Sequence, residues 1–152
     1  MGLVEIAPPA FDVFVDLRYA TADNLTGKPI YRRANCFLHD DAATKLQRAI
    51  GLAAPLGLKL YIFDAYRPPA AQWALWNHLP NSDFIADPRR GSPHGRGVAV
   101  DLTLATQDGR KLEMGTGFDA ITPQSYHADT VVSPEAQRNR LLLLGIMSAA
   151  GW

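Results

Sequence analysis

Apolar side chains at Ala43, Leu46, Ile50 and Ala53 recur at helical spacing and predict an amphipathic helix over residues 40–54. Asp40 and Asp41 are its N-cap candidates, and Pro55 and Gly57 stop it. Leu58 to Phe63 then reads as a strand. Pro68 and Pro69 suit the first turn of a second helix, in which Ala70, Trp73, Trp76 and Leu79 recur on one side before Pro80 ends it. That aromatic stripe is expected to pack in the core. From Val98 to Leu104 the pattern changes to strict alternation, with Val98, Val100, Leu102 and Leu104 on one face and Ala99, Asp101 and Thr103 on the other. Ser133 as N-cap and Pro134 at the first helical position open a third helix, whose apolar run Leu141 to Met147 continues to a Gly151 cap and Trp152. Helices interspersed with half-buried strands predict an α+β fold, a mixed or antiparallel sheet flanked by helices, rather than a parallel doubly wound sheet.

Composition narrows the class without changing this picture. With 152 residues, 47% of them hydrophobic and 20% charged, the chain suffices for one domain over residues 1–152 with a substantial core. No internal repeat, low-complexity tract or linker divides it. Fifteen basic side chains balance fifteen acidic ones, and the basic clusters do not exceed Arg32-Arg33 and Arg89-Arg90. Nucleic acid and an anionic membrane are therefore not expected as partners, and a small molecule is. The N-terminus has neither a basic n-region nor an apolar h-region, and no run is long enough to span a bilayer, which predicts a cytoplasmic protein, or a periplasmic one only if a leader was removed. Cys36 is the single cysteine. It excludes an internal disulfide and a thiolate cluster, and is expected to be a small buried hydrophobe.

Candidate chemistry concentrates in Ser92-Pro93-His94-Gly95-Arg96-Gly97-Val98-Ala99-Val100-Asp101. His and Asp are common zinc ligands in hydrolases, which hold the ion with three side chains and leave a fourth position open. Seven residues separate His94 from Asp101, so a continuous strand would point them to opposite faces. Gly95 and Gly97 supply a bend that brings both side chains to one point. A bare pair of this kind would read as a turn histidine and a solvated aspartate; the glycines and the small Ala99 favour the metal. A second motif, Asp64-Ala65-Tyr66-Arg67-Pro68, lies between the predicted strand and the second helix. Arg67 precedes two prolines and is biased away from helical backbone. Two readings stand open: a guanidinium that neutralises an oxyanion, or a surface pair with Asp64.

Together these motifs resemble the D-alanyl-D-alanine dipeptidases of the vancomycin-resistance type. Those are zinc peptidases related to the DD-carboxypeptidases and to the zinc-binding fold of Hedgehog signalling domains. The resemblance spans nearly the whole chain, through Leu17-Arg18-Tyr19-Ala20-Thr21-Ala22-Asp23-Asn24-Leu25-Thr26-Gly27, the Arg67 and His94–Asp101 motifs, Met114-Gly115-Thr116-Gly117-Phe118-Asp119, and Gln137-Arg138-Asn139-Arg140-Leu141. It implies His94 and Asp101 as two zinc ligands, Arg67 as transition-state stabiliser, and Tyr19, Ser92 and Asp119 as substrate-binding residues. An anionic Asp119 suits the ammonium of a dipeptide. The implied reaction is hydrolysis of D-Ala-D-Ala to two D-alanines, in the metabolism of peptidoglycan precursors, serving glycopeptide resistance or D-alanine scavenging.

One departure matters. The family draws its third zinc ligand and general base from a Glu-x-Trp-x-His or Glu-Trp-Trp-His strand, and no such motif occurs in these 152 residues. Glu5, Glu113 and Glu135 are the only glutamates, and none adjoins a histidine in sequence. His39, His78 and His127 are the substitute ligands to consider. The resemblance implies a C-terminally truncated form, with the third ligand beyond Trp152, weak zinc binding, no turnover, and an exposed sheet edge through which copies pair as a homo-oligomer. Competing expectations are a noncatalytic binder of peptidoglycan-derived peptides and a zinc DD-carboxypeptidase acting on longer stem peptides.

Overall fold

In the computed structural model, which describes residues 2–115 and 132–152, the chain runs through β1 (Leu3–Glu5), β2 (Phe14–Val15), β3 (Phe37–His39), α1 (Asp40–Ala53), β4 (Leu58–Asp64), α2 (Pro69–His78), β5 (Asp101–Thr106) and α3 (Pro134–Ala150). β4 is the middle strand of a mixed sheet, parallel to β2 and antiparallel to β5, while β1 and β3 form a separate antiparallel pair. This is the α+β arrangement that the alternation of helical and strand periods predicts. Among the described residues no helix is long and apolar enough to cross a membrane.

The core forms where the three periodicities meet. Leu60 and Ile62 of β4 sit opposite Leu104 and Leu102 of β5. α1 lays Leu46, Ala49 and Ala53 over them, and α3 adds Leu143, Ile146 and Ala150. Each fully buried leucine or isoleucine contributes about 1.5–3 kcal/mol, so these few side chains hold helices and sheet together. Cys36 is buried in the same cluster, where burial pushes its thiol up to about 12. It serves as packing, as expected.

Four local expectations are corrected. α1 begins at Asp40, but its N-cap is His39, whose Nδ1 accepts from the Asp41 amide at 3.3 Å; Asp40 and Asp41 lie inside the first turn, where their charge suits the helix dipole. β5 starts only at Asp101, so Val98 to Val100 are not strand, and Val98 is exposed. The bend before β5 needs one unusual glycine rather than two: Gly97 has φ +72° at the end of a 3₁₀ turn over His94–Arg96, whereas Gly95 does not enter that region. In α2 the buried residues are Ala71, Gln72 and Leu75, and Trp73 is 42% exposed. The helix is turned this way because Leu75 seats against Tyr19 and Ile85 in a second apolar cluster, on which Trp76 and Leu79 lie only partly buried.

β4 and β5 depart from regular pairing where they approach the turn. Ile62 faces Leu102, yet Asp64 faces Asp101, so two steps on β4 match one on β5. This bulge leaves Phe63 as the extra residue. Residues paired across a ladder share a face, and the bulge therefore turns Asp64 to the side of Asp101 instead of the side of Ile62. Beside it, the Gly97 carbonyl accepts from the His39 amide at 2.8 Å and ties the turn to β3.

The turn has no room for a side chain at Gly97. A Cβ there would lie 2.9 Å from the His39 nitrogen and 2.9 Å from Leu3 Cδ2, on a backbone with φ +72°. Gly97→Ala is expected to lower the unfolding free energy by about 1–3 kcal/mol, read as a lower urea midpoint with unchanged slope; an unchanged midpoint would show that the turn relaxes freely.

Candidate active site

The bulge, the 3₁₀ turn and the start of α2 converge on an open cavity of about 1470 Å³, whose walls include Tyr19, Arg67, Ser92, His94 and Asp101. The predicted residues that lie within the described chain are thus brought together. His94 Nδ1 sits 2.7 Å from the Ala65 carbonyl oxygen. A carbonyl only accepts, so Nδ1 carries the proton and donates, leaving the Nε2 lone pair free. Nε2 faces Asp101 Oδ1 at 3.4 Å. Two donors bound at zinc-like distances in a tetrahedron lie about 3.3 Å apart, a spacing close to this one.

A third carboxylate is close. One ligand atom each from Asp64, His94 and Asp101 falls within 4.8 Å of the others, a donor set able to hold a metal ion. Asp64 is otherwise engaged. Its Oδ2 accepts from Arg67 Nε at 2.9 Å and Nη2 at 2.7 Å, and its Oδ1 accepts from the Tyr31 hydroxyl. The Arg67–Asp64 pair considered from the sequence therefore exists, but not at the surface: the side chains are 8% and 0% exposed. It also does not exclude the other reading, because Arg67 Nη2 reaches to 3.5 Å from Asp101 Oδ2. One guanidinium is both buried partner and neighbour of the ligand pair.

Tyr19 presents its ring face to Arg67, with Cζ 5.0 Å from the centroid. Ser92 is buried, and its Oγ accepts from the His94 amide at 3.1 Å, so it holds the turn that carries His94. Asp119 and His127 lie outside the described residues. His39 caps α1, and His78 is exposed at the end of α2; neither joins the cluster. Glu113 lines the same cavity, with Oε1 accepting from the Gly115 amide at 2.7 Å.

The family profile described as D-ala-D-ala dipeptidase matches residues 1–152. The chain belongs to that family. It is 47% identical over 150 residues to the D-alanyl-D-alanine dipeptidase of Escherichia coli K12, covering 99% of this chain and 78% of the relative. It is 35% identical over 158 residues to the protein of that name from Enterococcus faecium and 35% identical to the one from Streptomyces coelicolor, each match covering 90% of this chain and 78% of the relative. Membership makes the chain a peptidase, a hydrolase, in agreement with the five motifs.

Three residues of this dipeptidase-family site were not singled out by the sequence: Asp64 as a buried anchor, Tyr31 and Gln72. The signal for Asp64 was a carboxylate closing the hydrophobic stretch Leu60–Phe63, and that for Gln72 was a polar residue between Ala71 and Leu75. For Tyr31 there was none, since it reaches Asp64 from 33 residues away.

Burial and charge shape the protonation of the cluster. Burial raises the Asp64 carboxyl against the pull of Arg67, and Asp64 in turn keeps the guanidinium charged despite its own burial. Tyr31, pushed up by burial and by the Asp64 carboxylate, stays a neutral donor. Burial opposes charge on both His94 and Asp101, but their mutual contact prevails, raising the imidazole and lowering the carboxyl. A raised imidazole contributes stability that is complete below its unfolded value and fades as pH rises through its folded value. A lowered carboxyl contributes stability that is complete above its unfolded value and fades as pH falls through its folded value. Metal-free protein should therefore gain most from this pair between about pH 4 and 6.5. The check is the thermal midpoint of metal-stripped wild type minus that of Asp101→Asn as a function of pH. A difference that grows on the alkaline side would contradict the assignment.

Proposed function

We propose that this chain is a zinc-dependent D-Ala-D-Ala dipeptidase, cleaving the small dipeptide into two D-alanines. The observation that carries the reading is the 3.4 Å approach of His94 Nε2 to Asp101 Oδ1 beside a guanidinium 3.5 Å from the other Asp101 oxygen. His94 and Asp101 are the ligands these residues offer, with the His94 tautomer set by the Ala65 carbonyl. Zinc bound there supplies Lewis acidity, which polarises a carbonyl and brings the pKa of water toward about 7.

Arg67 spends three of its five N–H groups on Asp64 and Gln72. Arg67 also lines the cavity, with Nη2 3.5 Å from Asp101 Oδ2, and there its charge stabilises the negative charge that grows on the scissile carbonyl oxygen as it is attacked. Ser92 and Tyr19 line the substrate's place, and Asp119 receives its ammonium. The third ligand and general base implied by the family resemblance belong to a Glu-x-Trp-x-His-type motif that is not found in this sequence.

The test is D-alanine release from D-Ala-D-Ala by the zinc-loaded protein, run beside calorimetric zinc titration. Release supports the reading. Zinc and dipeptide binding without release would mark a chain that lacks the third ligand and base, and failure to bind either would overturn it. Asp101→Ala is expected to weaken zinc binding at least about 10-fold. Arg67→Lys keeps a cation against Asp64 but loses the planar fork, and should lower kcat by about 100-fold with zinc content unchanged.

A further inference from the structure

We propose that Tyr31 and Gln72 are positioning residues of this peptidase, which together fix the plane of the Arg67 guanidinium against the His94–Asp101 pair. The inference rests on the role given to Arg67 above, and it starts from how Arg67 meets Asp64. A guanidinium and a carboxylate usually join as two parallel bonds that use both carboxylate oxygens. Here Nε and Nη2 both converge on Oδ2. Two bonds to a single atom let the fork pivot about that atom, so the pair alone leaves the guanidinium orientation open.

Two further contacts close it. The Tyr31 hydroxyl donates to Asp64 Oδ1. That bond withholds Oδ1 from Arg67 and stops the carboxylate from turning about its Cβ–Cγ axis. Tyr31 is itself held, its amide bonded to the Tyr19 carbonyl at 2.9 Å and its ring meeting the Tyr19 ring edge-on at 5.8 Å. On the other side, Gln72 Oε1 accepts from Arg67 Nη1 at 2.9 Å, while Nε2 donates to the Ala86 carbonyl at 2.7 Å. The second bond fixes which way the amide faces, because a carbonyl requires a donor. Gln72 is 4% exposed in the middle of α2, where an apolar residue would pack at lower desolvation cost. With Asp64 and Gln72 holding three N–H groups and the Tyr19 ring against its face, the guanidinium keeps Nη2 3.5 Å from Asp101 Oδ2.

Without the Tyr31 hydroxyl, Oδ1 becomes free to join the fork. The guanidinium then exchanges between pairing with one carboxylate oxygen and pairing with both, and leaves its plane. Misplacement of this kind costs roughly 10- to 100-fold in rate.

The experiment is a double-mutant cycle on the zinc-loaded protein with D-Ala-D-Ala as substrate and a phosphinate dipeptide analogue as ligand. It is accompanied by the ¹⁵N order parameter of the Arg67 Nε–H. Tyr31→Phe and, separately, Gln72→Met are each expected to lower kcat about 10-fold with KM and zinc content little changed, and to weaken the analogue by a similar factor. In the Arg67→Lys background the same substitutions should add little, since the group they position is gone. The Arg67 Nε–H order parameter should fall in Tyr31→Phe, a change that requires no turnover to observe. Equal losses in both backgrounds, or an Arg67 Nε–H as ordered in both variants as in wild type, would overturn the proposal. Arg67→Lys leaving both kcat and analogue affinity unchanged would instead overturn the role assigned to Arg67, so the two failures are distinct.

Discussion

The site depends on the buried ion pair between Asp64 and Arg67. Asp64 is fully buried at the end of the central strand, and such a carboxylate persists as an anion only with a cation and donors at hand. Arg67, Tyr31 and, through Arg67, Gln72 provide them. Removing one partner from a pair of this kind typically costs about 3–5 kcal/mol, because the other is left charged in a poor solvent. The pair therefore binds the end of β4, the start of α2 and the loop before β3 to a single geometry.

That pair also explains how a permanent cation can stand beside a metal site. A guanidinium 3.5 Å from the carboxylate of Asp101, here proposed as a ligand, would by itself disfavour a dication. Asp64 offsets most of its charge while Nη2 still reaches to 3.5 Å from Asp101. The cluster thus combines a lone pair on His94, a carboxylate on Asp101 and a neutralised fork. An ion and a developing oxyanion can then be served within a few ångströms without mutual repulsion deciding the outcome.

Much of this was legible in the chain. The helix over residues 40–54, the strand after Gly57 and the Ser133-Pro134 helix start follow from spacing, caps and breakers, and the structure places them within a residue or so. The motif around His94 and Asp101 pointed to a shared ligand site, and those two side chains meet. The reading failed where a local pattern met a tertiary demand. The Ala70–Trp73–Trp76 stripe has the right period, yet α2 buries Gln72 and Leu75 instead, because Gln72 must reach Arg67 and Leu75 must reach Tyr19. Asp40 and Asp41 have the right chemistry for a cap, but His39 stands one position earlier with an acceptor already in place.

By itself, the sequence determined the α+β class and the main helices, and it singled out His94, Asp101 and Arg67 as candidates. Those depend on periodicity, on turn residues and on short motifs, all of them relations between neighbours along the chain. The tertiary structure alone decided that Asp64 faces the site and not the core, that Tyr31 holds it, and that Arg67 is buried and aimed. A bulge changes which face a residue takes without altering its strand's periodicity, and a partner 33 residues distant leaves no local trace. Register and long-range contact arise only when the elements pack, and they are what turn three recognisable residues into one oriented site.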